Sequence, residues 1–137
     1  MEQELREQLT EHFTLSEFCN YEKYPGNKPT QLQRFNMLYG CVMILEPARK
    51  IAGPIIINSG FRNPKINKRV GGVSNSQHLD GCAADITTKY ESQFPKLVEF
   101  LKADKEVDQL LTGSNWLHVS WNPWGPPRHD IRIGYYR

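Results

Sequence analysis

The chain has 137 residues, 39% of them hydrophobic and 23% charged, enough for one domain that buries about two-thirds of its unfolded surface in a single core. No run approaches the roughly 18 to 20 apolar residues of a membrane span, and a net charge of +2 from 17 basic and 15 acidic residues is too balanced to recruit nucleic acid by field alone. Three cysteines, Cys19, Cys41 and Cys82, are an odd number with no C-x-x-C pair, so reduced thiols are expected rather than a disulfide framework or a cysteine zinc cluster.

Residues 2–12 have few apolar positions and predict a short helical arm at most; this acidic start also lacks the apolar core of a secretory signal. Thr14-Leu15-Ser16-Glu17 reads as a capping box that opens a short helix, with Phe13 and Phe18 tying it to the core. Residues 24–29, rich in Pro, Gly and Asn, are a loop. From Thr30, a good N-cap, Leu32, Phe35, Leu38, Val42 and Leu45 recur at helical spacing and predict a main scaffold helix with that stripe buried. Pro47 should kink or end it. Ile55-Ile56-Ile57 is short, β-branched and apolar, the pattern of a buried strand.

Asn63-Pro64 is an N-cap with proline at the first helical position, so residues 65–70 predict a short helix ended by Gly71-Gly72. Residues 82–87 read as a strand with Ala83 and Asp85 on one face, and residues 91–103 as a second amphipathic helix. Residues 107–111 and 116–121 predict a hairpin in which Trp116, His118 and Ser120 share a face. A last strand is expected over residues 131–136. Strands grouped with helices on one face predict an α+β domain with a mainly antiparallel sheet, the whole of 1–137 forming one unit.

The chemistry concentrates in Ser76-Gln77-His78-Leu79-Asp80-Gly81-Cys82-Ala83-Ala84-Asp85 and, further on, in Trp116-Leu117-His118-Val119-Ser120. Two imidazoles and a carboxylate can hold Zn²⁺ through three donors and leave a fourth position for water, the arrangement of a catalytic zinc site. His78, Asp85 and His118 are therefore the candidate ligands of one zinc ion, and the small alanines beside Asp85 leave room at the metal. The basic run Arg62, Lys65, Lys68 and Arg69 just ahead of the motif suits an anionic group on a substrate, although a solvated helix face is the more common explanation of such a run.

Together with Phe13-Thr14-Leu15-Ser16-Glu17-Phe18, Ile57-Asn58-Ser59-Gly60-Phe61-Arg62, Val70-Gly71-Gly72 and Asp108-Gln109-Leu110, these phrases resemble the zinc D-Ala-D-Ala carboxypeptidase family. That family shares its fold with the amino-terminal domain of Hedgehog proteins, and the likeness is greatest to short single-domain members of bacteria and phages. The resemblance implies a Hedgehog/DD-peptidase-like fold and a zinc peptidase that cuts D-amino-acid bonds in peptidoglycan stem peptides, as a carboxypeptidase or an endolysin-type endopeptidase. It implies His78, Asp85 and His118 as metal ligands, Arg62 beside the substrate as a carboxylate or oxyanion partner, Ser76 as a substrate contact or loop cap, and Trp116 as a pocket wall. The start of the chain, which lacks the apolar core of a secretory signal, leaves two expectations, a cytoplasmic role or a phage-type lysin made in the cytoplasm and released to the cell wall with help; a monomer with no nucleic-acid or membrane partner is expected in either case.

Related members carry a glutamate six positions before the second histidine ligand, or an acid three positions before it. Here those positions hold Thr112 and Asn115, neither of which can exchange a proton at neutral pH. Asp108 is the nearest acidic candidate for the catalytic base, with Asp80 and His129 behind it, but the Asp-Gln pair is part of the family pattern even in members that keep the glutamate, so a structural role suits Asp108 better than a catalytic one. The alternative is a zinc-bound recognition module that keeps the fold and metal but binds wall peptides or a protein partner without cutting.

Overall fold

The computed structural model describes residues 7–136. Five strands form one sheet in the order β1-β2-β4-β3-β5, with β1 Ile55–Ser59, β2 Ala83–Thr88, β3 Gln109–Thr112, β4 Leu117–Ser120 and β5 Asp130–Arg132. The pairs β1–β2, β2–β4 and β3–β4 are antiparallel, and only β5 runs parallel to its neighbour β3. The helices are α1 Leu15–Cys19, α2 Gln31–Gly40, α3 Glu46–Ala52, α4 Pro64–Arg69 and α5 Phe94–Ala103.

Alternation along the strands separates two faces. Ala84, Ile86, Leu110, Leu117 and Val119 are fully buried and pack with Ile44, Leu45, Ala48, Ala52, Leu97 and Leu101 of the helical layer. The residues between them, Asp85, Leu111 and His118, are only partly buried and share the opposite face. The catalytic-type residues thus stand on the side of the sheet that the long helices leave open.

Local signals hold where the chemistry is local. Thr14 and Glu17 form the expected capping box, and Thr30 forms a second one with Gln33. Asn63 caps α4 ahead of Pro64.

Five expectations are corrected. The helical arm is not helical over residues 7–12: Phe13 accepts the Leu9 and Thr10 N–H groups, Gln8 bridges Thr14, and His12 is tied to Glu46 by its N–H (2.8 Å) and its ring (2.6 Å). Residues 2–6 lie outside the described residues. The scaffold helix does not stop at Pro47, because a wide turn over Cys41–Leu45, in which Glu46 N–H reaches Cys41 O, joins α2 to α3 and opens the backbone ahead of the proline ring. Its buried residues are Asn36, Met37, Gly40, Cys41, Ile44, Leu45, Ala48 and Ala52, whereas Leu32, Phe35, Leu38 and Val42 are exposed. Finally, β1 is an edge strand with Ile56 turned to solvent, and the terminal strand is short because the chain turns at Gly134, where φ is +73°.

Candidate metal centre

Strand register brings the first two donors together. Asp85 on β2 lies directly opposite His118 on β4, so both side chains leave the same face at adjacent positions. His118 Nδ1 is 3.0 Å from Asp85 Oδ1.

The third donor comes from a 3₁₀ turn, Gln77–Asp80, that enters β2. Ser76 opens this turn by accepting the His78 N–H on its hydroxyl at 3.2 Å. Gly81 closes it at φ +74°, where an added Cβ would also stand 2.7 Å from Gln33 O, so this position demands glycine on two counts. His78 is 2% exposed, and its Nδ1 donates to Gly60 O at 2.6 Å, which fixes the tautomer and frees Nε2. That Nε2 lies 3.2 Å from Asp85 Oδ1.

One donor atom from each residue falls within 4.8 Å of the other two. Zinc bonds of about 2.0 to 2.1 Å in tetrahedral geometry put ligand atoms about 3.3 Å apart. The 3.0 and 3.2 Å spacings from Asp85 Oδ1 to the two imidazoles match that figure, and the two imidazole donors lie within 4.8 Å of each other, close enough to share one ion. The electrostatics agree with the geometry. Burial, the largest influence, raises the Asp85 pKa, but the two imidazoles beside it, His118 first and then His78, outweigh it and hold the carboxyl well below the usual range. Asp85 is therefore in the ionised form that a metal ligand needs.

Two cavities meet at this point and share Arg62 and Asp85. The larger, about 560 Å³, is bordered by Ser76, His78, His118, Arg128 and Tyr136; the smaller, about 350 Å³, by Asn20, Lys23, Tyr24, Asn58 and Ile66. Arg62 is half-buried between them, and its Nε is buried with no hydrogen-bond partner among the described residues. Burial, the largest influence, lowers its pKa, while Asp85, Tyr136 and Tyr24 act the other way. An unpaired guanidinium edge beside a metal-type triad is a prepared contact for an anionic ligand group.

The remaining expected residues divide. Ser76 borders the larger cavity as well as capping the His78 turn. Trp116 borders neither cavity: its indole lies stacked under Tyr136, centroids 4.2 Å apart, and reaches the site only through that ring. Asp108 borders neither cavity. It falls on the alternation of Leu110 and Thr112, and its oxygens accept from the Arg128 N–H (2.8 Å), Nε (3.0 Å) and Nη2 (2.8 Å) and from Gln77 Nε2 (3.1 Å). A carboxylate so occupied is placed to anchor the His78 turn to the loop before β5, the structural of the two roles weighed for it.

Thr112 is buried, and Asn115 sits exposed in the β3–β4 turn, where its carbonyl accepts the Thr87 hydroxyl at 2.6 Å. Among the described residues, Asp85 is the only carboxylate bordering either cavity. Sequence reasoning did not find Tyr136 or Arg128. Arg128 arrives on the loop before β5 and Tyr136 on the segment after it, and neither belongs to a motif.

A sheet-borne His-Asp-His triad beside an unpaired arginine defines a metallohydrolase-type centre. The sequence pattern of the peptidase M15 family matches residues 11–120, and the chain belongs to that family. Its α+β architecture is the Hedgehog/DD-peptidase-like fold. A relative from Streptomyces albus G, a zinc D-Ala-D-Ala carboxypeptidase, is 38% identical over 79 residues, which is 55% of this chain and 31% of the relative. The chain therefore spans about a third of the length of the curated relative it matches.

Proposed function

We propose that this chain is a zinc-dependent peptidase that hydrolyses peptide bonds next to D-amino acids in peptidoglycan stem peptides. The observation that carries the reading is the clustering of three metal-type donors within 4.8 Å of one another, with the half-buried Arg62 guanidinium bordering both cavities beside them. The substrate class is supported by the relative's name. His78, Asp85 and His118 would hold one zinc, which when bound lowers the pKa of water toward about 7 and polarises a carbonyl.

The protein's own groups do the rest. The Gly60 carbonyl holds the His78 ring, Ser76 shapes its turn, and Arg62 takes the terminal or side-chain carboxylate of the peptide through its free edge. With cavities on both sides of Arg62, peptide can extend either way from the scissile bond. The reading places the protein outside the inner membrane when it acts, as a monomer released to the wall in the manner of an endolysin. No helix among the described residues is long and apolar enough to cross a membrane.

Purified muropeptides incubated with zinc-loaded protein and read by mass spectrometry test the proposal. Loss of a terminal residue marks a carboxypeptidase and separation of crosslinked strands an endopeptidase. A second reading, a zinc-bound module that holds wall peptides without cutting, is favoured by Asp85 being the only carboxylate bordering the two cavities among the described residues. Saturable muropeptide binding with no cleavage product would select it.

A further inference from the structure

The segment after β5 is positioned with care at the site and has no part in the ligand set. The chain turns at Gly134 and is fastened to Thr112 twice, Gly134 N–H donating to Thr112 Oγ1 (2.9 Å) and Tyr136 N–H to Thr112 O (3.1 Å). This lays the last residues across the β3–β4 turn and seats the Tyr136 ring on Trp116, with centroids 4.2 Å apart and planes 25° from parallel. Trp116 precedes the ligand His118 by two residues on one strand line, so the stack delivers Tyr136 to the face that carries the triad.

Tyr136 borders the larger cavity with Arg62, His78, Asp85 and His118. Its ring is fixed by stacking, and its hydroxyl makes no hydrogen bond among the described residues. A rigid aromatic with an unpaired O–H, next to a metal-type triad, is a donor waiting for an acceptor.

We propose that Tyr136 is a catalytic residue of this centre: its phenol O–H donates a hydrogen bond to the carbonyl oxygen of the bound peptide, and that bond strengthens as the oxygen gains negative charge. The inference rests on the peptidase reading. In the hydrolysis, water adds its oxygen to the acyl carbon, the C–N bond breaks with its electron pair going to nitrogen, and the water's displaced proton ends on that nitrogen. Tyr136 keeps its proton throughout, so no partner is needed to reset it. Burial first, then Asp85 and Tyr135, push the phenol pKa up against the opposing pull of Arg62, so the donor stays protonated at neutral pH.

Tyr136→Phe retains the ring and the stack and removes only the hydroxyl. The variant is expected to lose about 100-fold in kcat, the scale of one lost oxyanion donor, with KM, zinc content and Trp116 fluorescence unchanged. A second readout needs no turnover. Calorimetry with a phosphinate peptide, whose tetrahedral oxygens imitate the charged carbonyl, should show weakening by more than about tenfold in the variant, while binding of the cleaved product peptide is unaltered. Wild-type kcat and phosphinate affinity in Tyr136→Phe overturn the inference and leave the peptidase reading standing. Equal losses in Tyr136→Phe and Tyr136→Ala, with matching falls in melting temperature, overturn it by assigning the effect to packing. A zinc-loaded wild type that neither cleaves peptides nor binds the phosphinate overturns both.

Discussion

Replacing Asp108 by asparagine separates proton transfer from scaffolding. The side chain is 4% exposed, and its two oxygens take four hydrogen bonds, three from Arg128 and one from Gln77. Bonds to a charged group contribute about 1.5 to 3 kcal/mol each, but the Arg128 side chain is 56% exposed and can turn to water, which discounts its two guanidinium contacts to about 1 kcal/mol together. Asparagine keeps one acceptor oxygen and offers an NH₂ where an acceptor is needed, leaving a buried donor unpaired. The net loss is about 2 kcal/mol, a fall in melting temperature of roughly 6 to 10 °C for a domain of this size.

Thermal unfolding followed by circular dichroism in excess zinc, alongside kcat on a muropeptide, reads both consequences. With Asp108 as a scaffold, the variant melts lower while kcat stays within about fivefold, the residual loss arising through Gln77 beside His78. An unchanged melting temperature with kcat reduced about 1,000-fold would refute this and make Asp108 the acid–base group. The pH dependence adds a sign. Burial raises the Asp108 pKa, but the Arg128 hydrogen bonds and charge, with Gln77, outweigh it and leave the folded value below the ordinary one of about 3.9. Its contribution is therefore complete above that ordinary value and is lost as pH falls through the folded value. The stability gap between wild type and Asp108→Asn should be flat from about pH 5 to 8 and close below about pH 4.

Two further outcomes concern the core. Gly40→Ala would raise helix propensity by about 1 kcal/mol, yet an added Cβ would lie 2.1 to 2.6 Å from the fully buried Trp121 indole. Urea unfolding should show a net loss of about 2 to 3 kcal/mol, and an equal or more stable variant would refute the packing described. The thiols of Cys19 and Cys82 are pushed up to about 12, chiefly by burial, and Cys41 higher still for the same reason. A disulfide reagent at pH 8 should find none of the three accessible in the native protein and all of them after denaturation; fast labelling of any one in the native state would count against the burial assigned to it.

The metal triad was legible in the sequence because each donor sits in a phrase that also encodes its placement. Ser76 caps the turn, Gly81 closes it, and the alternation of Ala84 and Ile86 with Asp85 fixes the face on which the carboxylate emerges. Arg62 was singled out by the family resemblance alone, since its place between a strand and an Asn-Pro helix start does not say what its side chain meets. For Asp108 the structural role was legible but its partner was not: Arg128 lies 20 residues away on a proline-rich loop whose path no local pattern dictates. Tyr136 was hidden in the same way, since the fastening to Thr112 is a tertiary contact made after the chain has turned at Gly134.

The misread face of the long helix exposes a link between packing and the metal centre. Hydrophobic periodicity favours Leu32, Phe35, Leu38 and Val42, but the inner face is chosen by close approach and by hydrogen bonding. Trp121 fits against Gly40 only because no side chain stands there, and its Nε1 donates to Asn36 O at 2.8 Å. From the same face, Asn36 Nδ2 donates to Asp80 O (2.9 Å) and Gln33 Nε2 to Leu79 O (3.2 Å), the two carbonyls that follow His78. The polar residues that spoil the helical stripe thus clamp the turn carrying a metal ligand. A leucine at position 36 would regularise the stripe, yet it would leave Asp80 O and Trp124 Nε1 without their Asn36 partners and loosen the seat of His78. A helix that must hold a ligand-bearing loop from beneath cannot be purely apolar on its inner face, and hydropathy alone will point to its outer one.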